Sequence, residues 1–137
     1  MPRLQLATPL FVPGNRPERF GKAAASGADA IIIDLEDAVA AADKDAARAA
    51  LRTGFGSVPI IVRVNAPGTQ WHAADMAAIA GLDIAAVMVP KAEMGAGFAA
   101  TPGGKPVIAL VETAQGLADA RAPVSYTHLT LPTILLV

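Results

Sequence analysis

Short apolar runs alternate with longer alanine-rich segments along the 137-residue chain. The run Ile31-Ile32-Ile33 is too short for a helix, is β-branched and follows Gly27, so it is typical of a parallel strand buried on both faces. The same pattern recurs four more times. It predicts five parallel strands, at residues 6–12, 30–35, 59–64, 85–89 and 106–111.

The segments between these strands predict helices. Asn15 is expected to cap the first helix, with Glu18 completing a capping box and Gly27 ending the helix. Asp43 is expected to open the second helix and Gly54 to close it. A third helix is predicted over residues 70–79, and a last one begins at Glu112 or Thr113 and runs through Gln115, Leu117 and Ala120. The inward-facing positions are expected to be Phe20, Ala23 and Ala24 in the first helix and Ala46, Ala47, Ala50 and Leu51 in the second.

Charged residues follow the predicted strands at one end only. In parallel α/β folds the carboxyl ends of the strands share one edge, and in a barrel they meet at a common mouth. A doubly wound sheet is the competing architecture, but no Gly-x-Gly-x-x-Gly follows the first strand. The sequence therefore predicts a TIM (β/α)8 barrel, here truncated to about the first five βα units. The charges in question are Asp34, Glu36 and Asp37, then Arg63, Lys91 and Glu112.

Composition limits the classes of partner. The chain has no cysteine, a formal net charge of -1, and 53% hydrophobic but only 4% aromatic residues. Disulfides and thiolate metal sites are thus excluded within these residues, and no basic field exists to attract nucleic acid or an anionic membrane. Pro9 and Pro13 interrupt the first apolar run, which predicts neither a signal peptide nor an anchor. We expect a cytoplasmic protein that acts on a small molecule.

The residues alone leave several roles open. Each acid at the end of the second strand could be a loop solubiliser or a helix cap, although three together favour a functional site. Arg63 interrupts an apolar strand and must meet an anion, either a structural carboxylate or a substrate carboxylate or enolate. Arg16 lies in a glycine-containing loop before a helix, where a phosphate or carboxylate could bind, but a well-capped barrel helix explains the same residues.

Five motifs, taken together and in order, resemble the citrate lyase beta subunit-like and malyl-CoA lyase family. The resemblance covers residues 1 to about 121 and is greatest to the single-chain citrate lyase beta-like members. The motifs are Leu10-Phe11-Val12-Pro13-Gly14-Asn15-Arg16-Pro17-Glu18, Asp34-Leu35-Glu36-Asp37-Ala38-Val39, Arg63-Val64-Asn65, Val89-Pro90-Lys91-Ala92-Glu93 and Val111-Glu112-Thr113-Ala114-Gln115-Gly116.

The resemblance implies a TIM barrel that makes or breaks a carbon–carbon bond beside a CoA thioester, using Mg2+. It implies that Arg63 contacts the substrate and that Glu112 binds both metal and substrate. Glu36 and Asp37 would lie near the metal and its waters, and Arg16 in the loop that receives the CoA end. Lys91 is expected to pair with a nearby carboxylate rather than to catalyse.

These residue types suit cleavage of a 3-hydroxyacyl-CoA thioester to acetyl-CoA and a 2-oxo acid. A hard cation held by carboxylates can bind the keto-acid oxygens, and Arg63 would face the developing enolate oxygen, where one donor lowers the barrier by roughly 3 kcal/mol. One alternative is a CoA-independent class II pyruvate aldolase of the same superfamily. Another is a chain that binds an acyl-CoA or carboxylate without catalysis.

The sequence departs from the family pattern after Arg121. The family's second metal carboxylate follows a sixth strand, which this chain lacks, and residues 122–137 contain no Asp, Glu, Lys or Arg. We predict that residues 1–121 are the N-terminal part of the barrel and that this tail is foreign to it, although a genuine terminal strand is the alternative. Because five strands cannot close the barrel, the apolar inner face is expected to be exposed and the chain to be inactive. The full-length parent is expected to be a homo-oligomer.

Overall fold

Five parallel strands form one sheet in the computed structural model, which describes residues 4–92 and 101–119. Each strand pairs with the next one in the chain, so their carboxyl ends lie at the same edge. All five predicted strands are confirmed, each shorter than expected, and the paired residues of β2 and β3 include the charged Asp34 and Arg63 at their carboxyl ends. The strands are β1 (Pro9–Pro13), β2 (Ala30–Asp34), β3 (Ile60–Arg63), β4 (Ala86–Val89) and β5 (Val107–Ala109).

Helical segments connect the strands. Short 3-10 turns precede the first two helices, at Pro17–Arg19 and Ala41–Asp43, and a third turn at Pro102–Gly104 precedes β5. None of the helices in the described ranges is long and apolar enough to cross a membrane. The helices are α1 (Phe20–Ala24), α2 (Lys44–Ala49), α3 (His72–Ile79) and α4 (Ala114–Asp119).

The larger hydrophobic core lies between the sheet and its helices. Alternate strand residues such as Ile31, Val62 and Val87 pack there with Phe20 of α1 and Ile79 of α3, all at 0% exposure. Burial of the strands on both faces explains why their sequences are apolar without alternation. As predicted, Phe20, Ala23 and Ala47 are buried, and Ala24 and Leu51 pack against this core.

The opposite face of the sheet carries a second core, and here one prediction is wrong. The six residues of this face are only 0–1% exposed, although the inner face was expected to be open to solvent. Leu4 and Leu6, before β1, pack against it. The open edge itself is present, since β1 pairs only with β2 among the described strands, and its Leu10 and Phe11 are 40% and 37% exposed. The six residues are Ala30, Ile32, Ile61, Ala86, Met88 and Ile108.

Details of the helix ends differ from the predictions. Arg16, not Asn15, is the N-cap of the first turn and makes no side-chain capping bond, so the capping box is wrong. Just before this turn, Gly14 lies close to the end of β2, and its N–H donates to the Asp34 carbonyl at 2.8 Å. Ala46, predicted to face inward, is exposed, because the buried face of α2 is narrower than predicted and consists of Lys44 and Ala47.

The later helix ends follow the predictions more closely. Thr113 accepts from the Gly116 N–H through Oγ1 at 2.9 Å, which confirms the predicted start of α4. Helix α2 ends at Ala49, and Gly54, with φ of +81°, turns the chain further on. Ala120 and the predicted tail at residues 122–137 lie outside the described residues.

Candidate functional site

An ion pair joins the ends of β2 and β3. Asp34 and Arg63 are partners in the strand register, and Arg63 donates to the carboxylate from Nε to Oδ1 at 2.8 Å and from Nη2 to Oδ2 at 2.7 Å. The backbone N–H groups of Glu36 and Ala38 donate to the same two oxygens at 2.8 and 3.0 Å. Asp34 is 1% exposed, so its charge is compensated entirely by these donors.

Arg63 therefore meets a structural carboxylate, the first of the two partners considered from the sequence. Burial opposes its charge, but hydrogen bonds to Asp34 and the charges of Asp34, Glu36 and Asp37 outweigh that effect and raise the pKa of the guanidinium above its ordinary value. The group also lies 4.9 Å from the centre of the Phe11 ring. The pair with Asp34 uses one edge of the guanidinium, and Nη1 lies on another edge, 3.5 Å from Glu36 Oε1.

Glu36 is a buried carboxylate with unequal oxygens. Its Oε2 accepts from Lys91 Nζ at 2.5 Å, whereas Oε1 makes no hydrogen bond within the described part of the chain. Glu36 as a whole is 5% exposed. A buried carboxylate oxygen without a donor is costly, so this atom is a position where a polar hydrogen of a ligand or water would be favourable.

Lys91 links Glu36 to Glu112. Its side chain pairs with Glu36 as predicted, and its backbone N–H donates to Glu112 Oε1 at 3.0 Å. It has a positive φ of 50°, which is uncommon for a residue with a side chain and turns the chain sharply after β4. The hydrogen bond to Glu36, followed by the charges of Glu36, Asp37 and Glu112, raises the pKa of Lys91.

A close packing contact sets the position of Glu112. An added Cβ at Gly116 would overlap the backbone oxygen of Ala92, so only glycine lets the first turn of α4 approach the segment after β4 this closely. Since Glu112 immediately precedes this turn, the contact keeps its carboxylate beside Lys91.

Two other predicted site residues lie at the rim. Asp37 is exposed, and it contributes charge at both Arg63 and Lys91. Arg16 lies in the loop after β1, where its exposed guanidinium pairs with Glu18 at 3.8 Å. The structure thus brings Glu36, Arg63, Lys91 and Glu112 together, whereas the Arg16 side chain pairs within its own loop.

A buried polar network beneath the acidic loop was missed from the sequence. Asp75 of α3 accepts from the Asn65 side chain at 2.6 Å and from Arg48 at 3.0 Å. Lys44 donates to Asn65 Oδ1 at 2.8 Å and lies 4.8 Å from the centre of the Trp71 ring. The burial of Asp75 could have been inferred from the sequence, because Asp75 lies four residues before the apolar Ile79 and therefore on the same, inward face of α3.

The donors present suit a hard cation only in part. The described residues contain no group of three His, Cys, Asp or Glu side chains placed to hold a metal ion. Glu112 offers a carboxylate at the carboxyl edge of the sheet. Mg2+ is commonly held by one or two carboxylates, with water and substrate oxygens completing its shell. Glu36 is already engaged by Lys91 and Arg63, so it suits the surroundings of a cation better than its direct coordination.

Comparison with known proteins identifies relatives along most of the chain. The family model described as HpcH/HpaI aldolase/citrate lyase matches residues 7–131. A citrate lyase subunit beta-like protein of Mycobacterium tuberculosis is 53% identical over 108 residues, which are 78% of this chain and 39% of the relative. A (3S)-malyl-CoA thioesterase of Cereibacter sphaeroides is 40% identical over 129 residues, covering 88% of this chain and 45% of the relative.

A solved structure matches the fold as well. The CitE protein of Mycobacterium tuberculosis in complex with magnesium, acetoacetate and coenzyme A has a TM-score of 0.76 and 44% identity. The match covers 90% of this chain and 46% of that one, so the chain spans less than half the length of these three relatives. The five parallel strands and the helices described with them are the beginning of a TIM-barrel-like fold that the described residues do not close. The chain belongs to the HpcH/HpaI aldolase/citrate lyase family.

Proposed function

We propose that the chain is the N-terminal part of a magnesium-dependent carbon–carbon lyase. The reaction would cleave a 3-hydroxyacyl-CoA thioester of the citryl-CoA or malyl-CoA type to acetyl-CoA and a 2-oxo acid. The observation that carries this proposal is the cluster of Arg63, Glu36, Lys91 and Glu112 at the carboxyl edge of the sheet, with a fixed guanidinium between carboxylates.

Arg63 is the group best suited to stabilise the enolate of the departing acetyl-CoA. Its bond to Asp34 holds the guanidinium plane before substrate arrives, so little reorganisation is needed as negative charge develops. Its raised pKa keeps the group charged throughout the working pH range. Nε and Nη2 are used by Asp34, so an oxyanion of the substrate would accept from Nη1, which lies beside Glu36.

Glu112 would hold the magnesium ion. The Lys91 N–H fixes one of its oxygens, which orients the carboxylate at the mouth. When bound, the ion would supply a Lewis acid for the oxygens of the 2-oxo acid. Glu36 and Asp37 add negative charge beside that position, and we assign Arg16 and the loop after β1 to the CoA end of the substrate. The second carboxylate ligand would come from the part of the parent that this chain does not include.

Thioester hydrolysis is the second candidate. It is favoured by the relatives named (3S)-malyl-CoA thioesterase, of which this chain matches 45%. The same cation and guanidinium could polarise a thioester carbonyl for attack by water. A third possibility, a class II pyruvate aldolase, would need no CoA.

One assay separates the three. A full-length parent carrying residues 1–121 is incubated separately with malyl-CoA and with a CoA-free 4-hydroxy-2-oxo acid, each with and without Mg2+, and the products are identified by chromatography. Acetyl-CoA with an equal amount of 2-oxo acid supports the lyase, whereas free CoA with malate supports the thioesterase. Turnover only of CoA-free 4-hydroxy-2-oxo acids to pyruvate would support the aldolase. An enzyme that turns over malyl-CoA equally well after removal of all divalent cations would contradict the proposed magnesium site.

A further inference from the structure

Lys44 is a buried ammonium whose direct partners are all uncharged. It is 7% exposed, and its Nζ donates to the carbonyls of Leu35 and Glu36 at 2.9 and 3.0 Å and to the Asn65 side chain at 2.8 Å. Each of the three ammonium hydrogens therefore has an acceptor. A buried cation without a directly bound carboxylate is expensive, so its retention needs a reason other than simple packing.

Hydrogen bonds connect Lys44 to Arg63 through one peptide unit and Asp34. A trans peptide unit points its C=O and N–H in opposite directions. In the peptide between Leu35 and Glu36 the carbonyl accepts from Lys44, and the N–H donates to Asp34 Oδ1 at 2.8 Å. The same oxygen accepts from Arg63 Nε. One peptide unit thus connects the ammonium on one side to the Asp34–Arg63 pair on the other.

The network around Lys44 fixes the plane of that peptide. The Asn65 side chain donates a second hydrogen bond to the Leu35 carbonyl, at 2.9 Å, and Asp75 holds Asn65 through its side chain and its backbone N–H at 2.6 and 2.8 Å. A carbonyl bound by an ammonium is polarised, which strengthens the hydrogen bond made by the N–H of the same peptide. The N–H that binds Asp34 Oδ1 therefore belongs to a peptide whose carbonyl is held by the buried ammonium of Lys44.

We propose that Lys44 is a positioning residue for Arg63, acting through the Leu35–Glu36 peptide and Asp34. Lys44 makes no hydrogen bond to Arg63, Lys91 or Glu112, and its effect is to hold the Arg63 guanidinium in one orientation. The catalytic meaning of this role rests on the proposed function, whereas the effect on Arg63 itself does not.

The test measures the Arg63 Nε–H directly. Nitrogen-15 NMR of the 137-residue chain gives the exchange rate of this proton with water, and Lys44→Met removes the ammonium while keeping the length of the side chain. We expect Arg63 Nε–H exchange to become about 10- to 100-fold faster, the range that corresponds to loss of one charge-assisted hydrogen bond. An unchanged exchange rate in a folded Lys44→Met chain would overturn the proposal.

A second lysine provides the matched control. Lys105 is partly buried and, like Lys44, donates to a backbone carbonyl, that of Leu82, at 2.9 Å, but it precedes β5 and lies at the opposite edge of the sheet. Lys105→Met should leave the Arg63 signal unchanged, and an equal effect of both substitutions would contradict a specific path. If Lys44→Met fails to fold, Lys44→Gln, which keeps one amide donor group, is measured instead against the same criterion.

Kinetics of the full-length parent test the catalytic consequence. Lys44→Met should lower kcat about 10- to 100-fold with little change in KM, as orienting partners of active-site groups commonly do. If the wild-type parent has no lyase activity, the proposed function fails while the NMR result still decides the role of Lys44. If the parent is active and Lys44→Met changes only KM, the positioning role is wrong.

Discussion

Asp34 and Arg63 face each other across two neighbouring parallel strands and form a two-pronged ion pair at the carboxyl edge of the sheet. The geometry requires a planar group with two parallel donors, which arginine has and lysine lacks. The pair lies on the sheet face turned away from the helices, since Ile32 and Ile61, two residues earlier on each strand, belong to the second core.

Arg63→Lys should therefore be severe although it keeps the charge. One ammonium cannot satisfy both Asp34 oxygens and also present a fixed donor to an enolate, so kcat of the full-length parent should fall about 10²- to 10³-fold. Steady-state kinetics with malyl-CoA are the measurement. A variant with wild-type kcat would remove Arg63 from the proposed chemistry.

Glu112→Gln should abolish magnesium-dependent turnover without loss of the fold. The amide oxygen can still accept from the Lys91 N–H, but the charge that binds a hard cation is gone. Circular dichroism verifies the fold, and activity is titrated with MgCl2. Full activity recovered at high Mg2+ would indicate that other residues suffice to hold the ion.

The 137-residue chain itself should bind Mg2+ weakly and turn over nothing. It retains one carboxylate of the expected pair, and the described residues contain no alternative cluster of three ligands. Isothermal titration with MgCl2 and an acetyl-CoA release assay test this expectation. Tight binding together with lyase activity would mean that Asp34, Glu36 or Asp37 supplies the missing ligand.

Gly116→Ala should destabilise the fold at the turn that follows Glu112. The new methyl group would collide with the Ala92 carbonyl, which we expect to cost about 1–3 kcal/mol in the free energy of unfolding. The matched control is Gly21→Ala in α1, where a Cβ meets nothing within 4 Å and a gain of about 0.5–1 kcal/mol is expected. Urea unfolding compares the two. Equal midpoints for both variants would show that the contact with Ala92 is not tight.

Lys91 should contribute stability that disappears in alkali. Its pKa is raised above the ordinary 10.5, chiefly by the hydrogen bond to Glu36, so the contribution is complete below the unfolded-state value and is lost as pH rises through the folded-state value. Above about pH 10 the wild-type chain should therefore lose more stability than Lys91→Met does. Thermal melts across this range are the measurement, and parallel curves for the two proteins would contradict the assignment.

The sequence predicted the features that depend on local pattern. Apolar β-branched runs were sufficient for the five strands, and the charges after them indicated the edge where the charged side chains meet, because period and composition are properties of neighbouring residues. Lys44 escaped prediction since a charged residue on a short helix is usually solvated, and only the tertiary structure supplies the partners that make its burial tolerable. The error at Asn15 has the same origin, because the approach of Gly14 to β2 determines how the chain enters the turn.

The order of the strands in the sheet has a consequence for how the chain folds. Every described pairing joins strands that follow one another in sequence, as Leu10 pairs with Ile31 and Ile31 with Ile60. No described pairing has to wait for a segment beyond the next strand, and the entropy lost on closing each loop grows only slowly with loop length. Each βα unit can add to the previous one while the ribosome is still producing the next, because the order of synthesis and the order of the strands coincide.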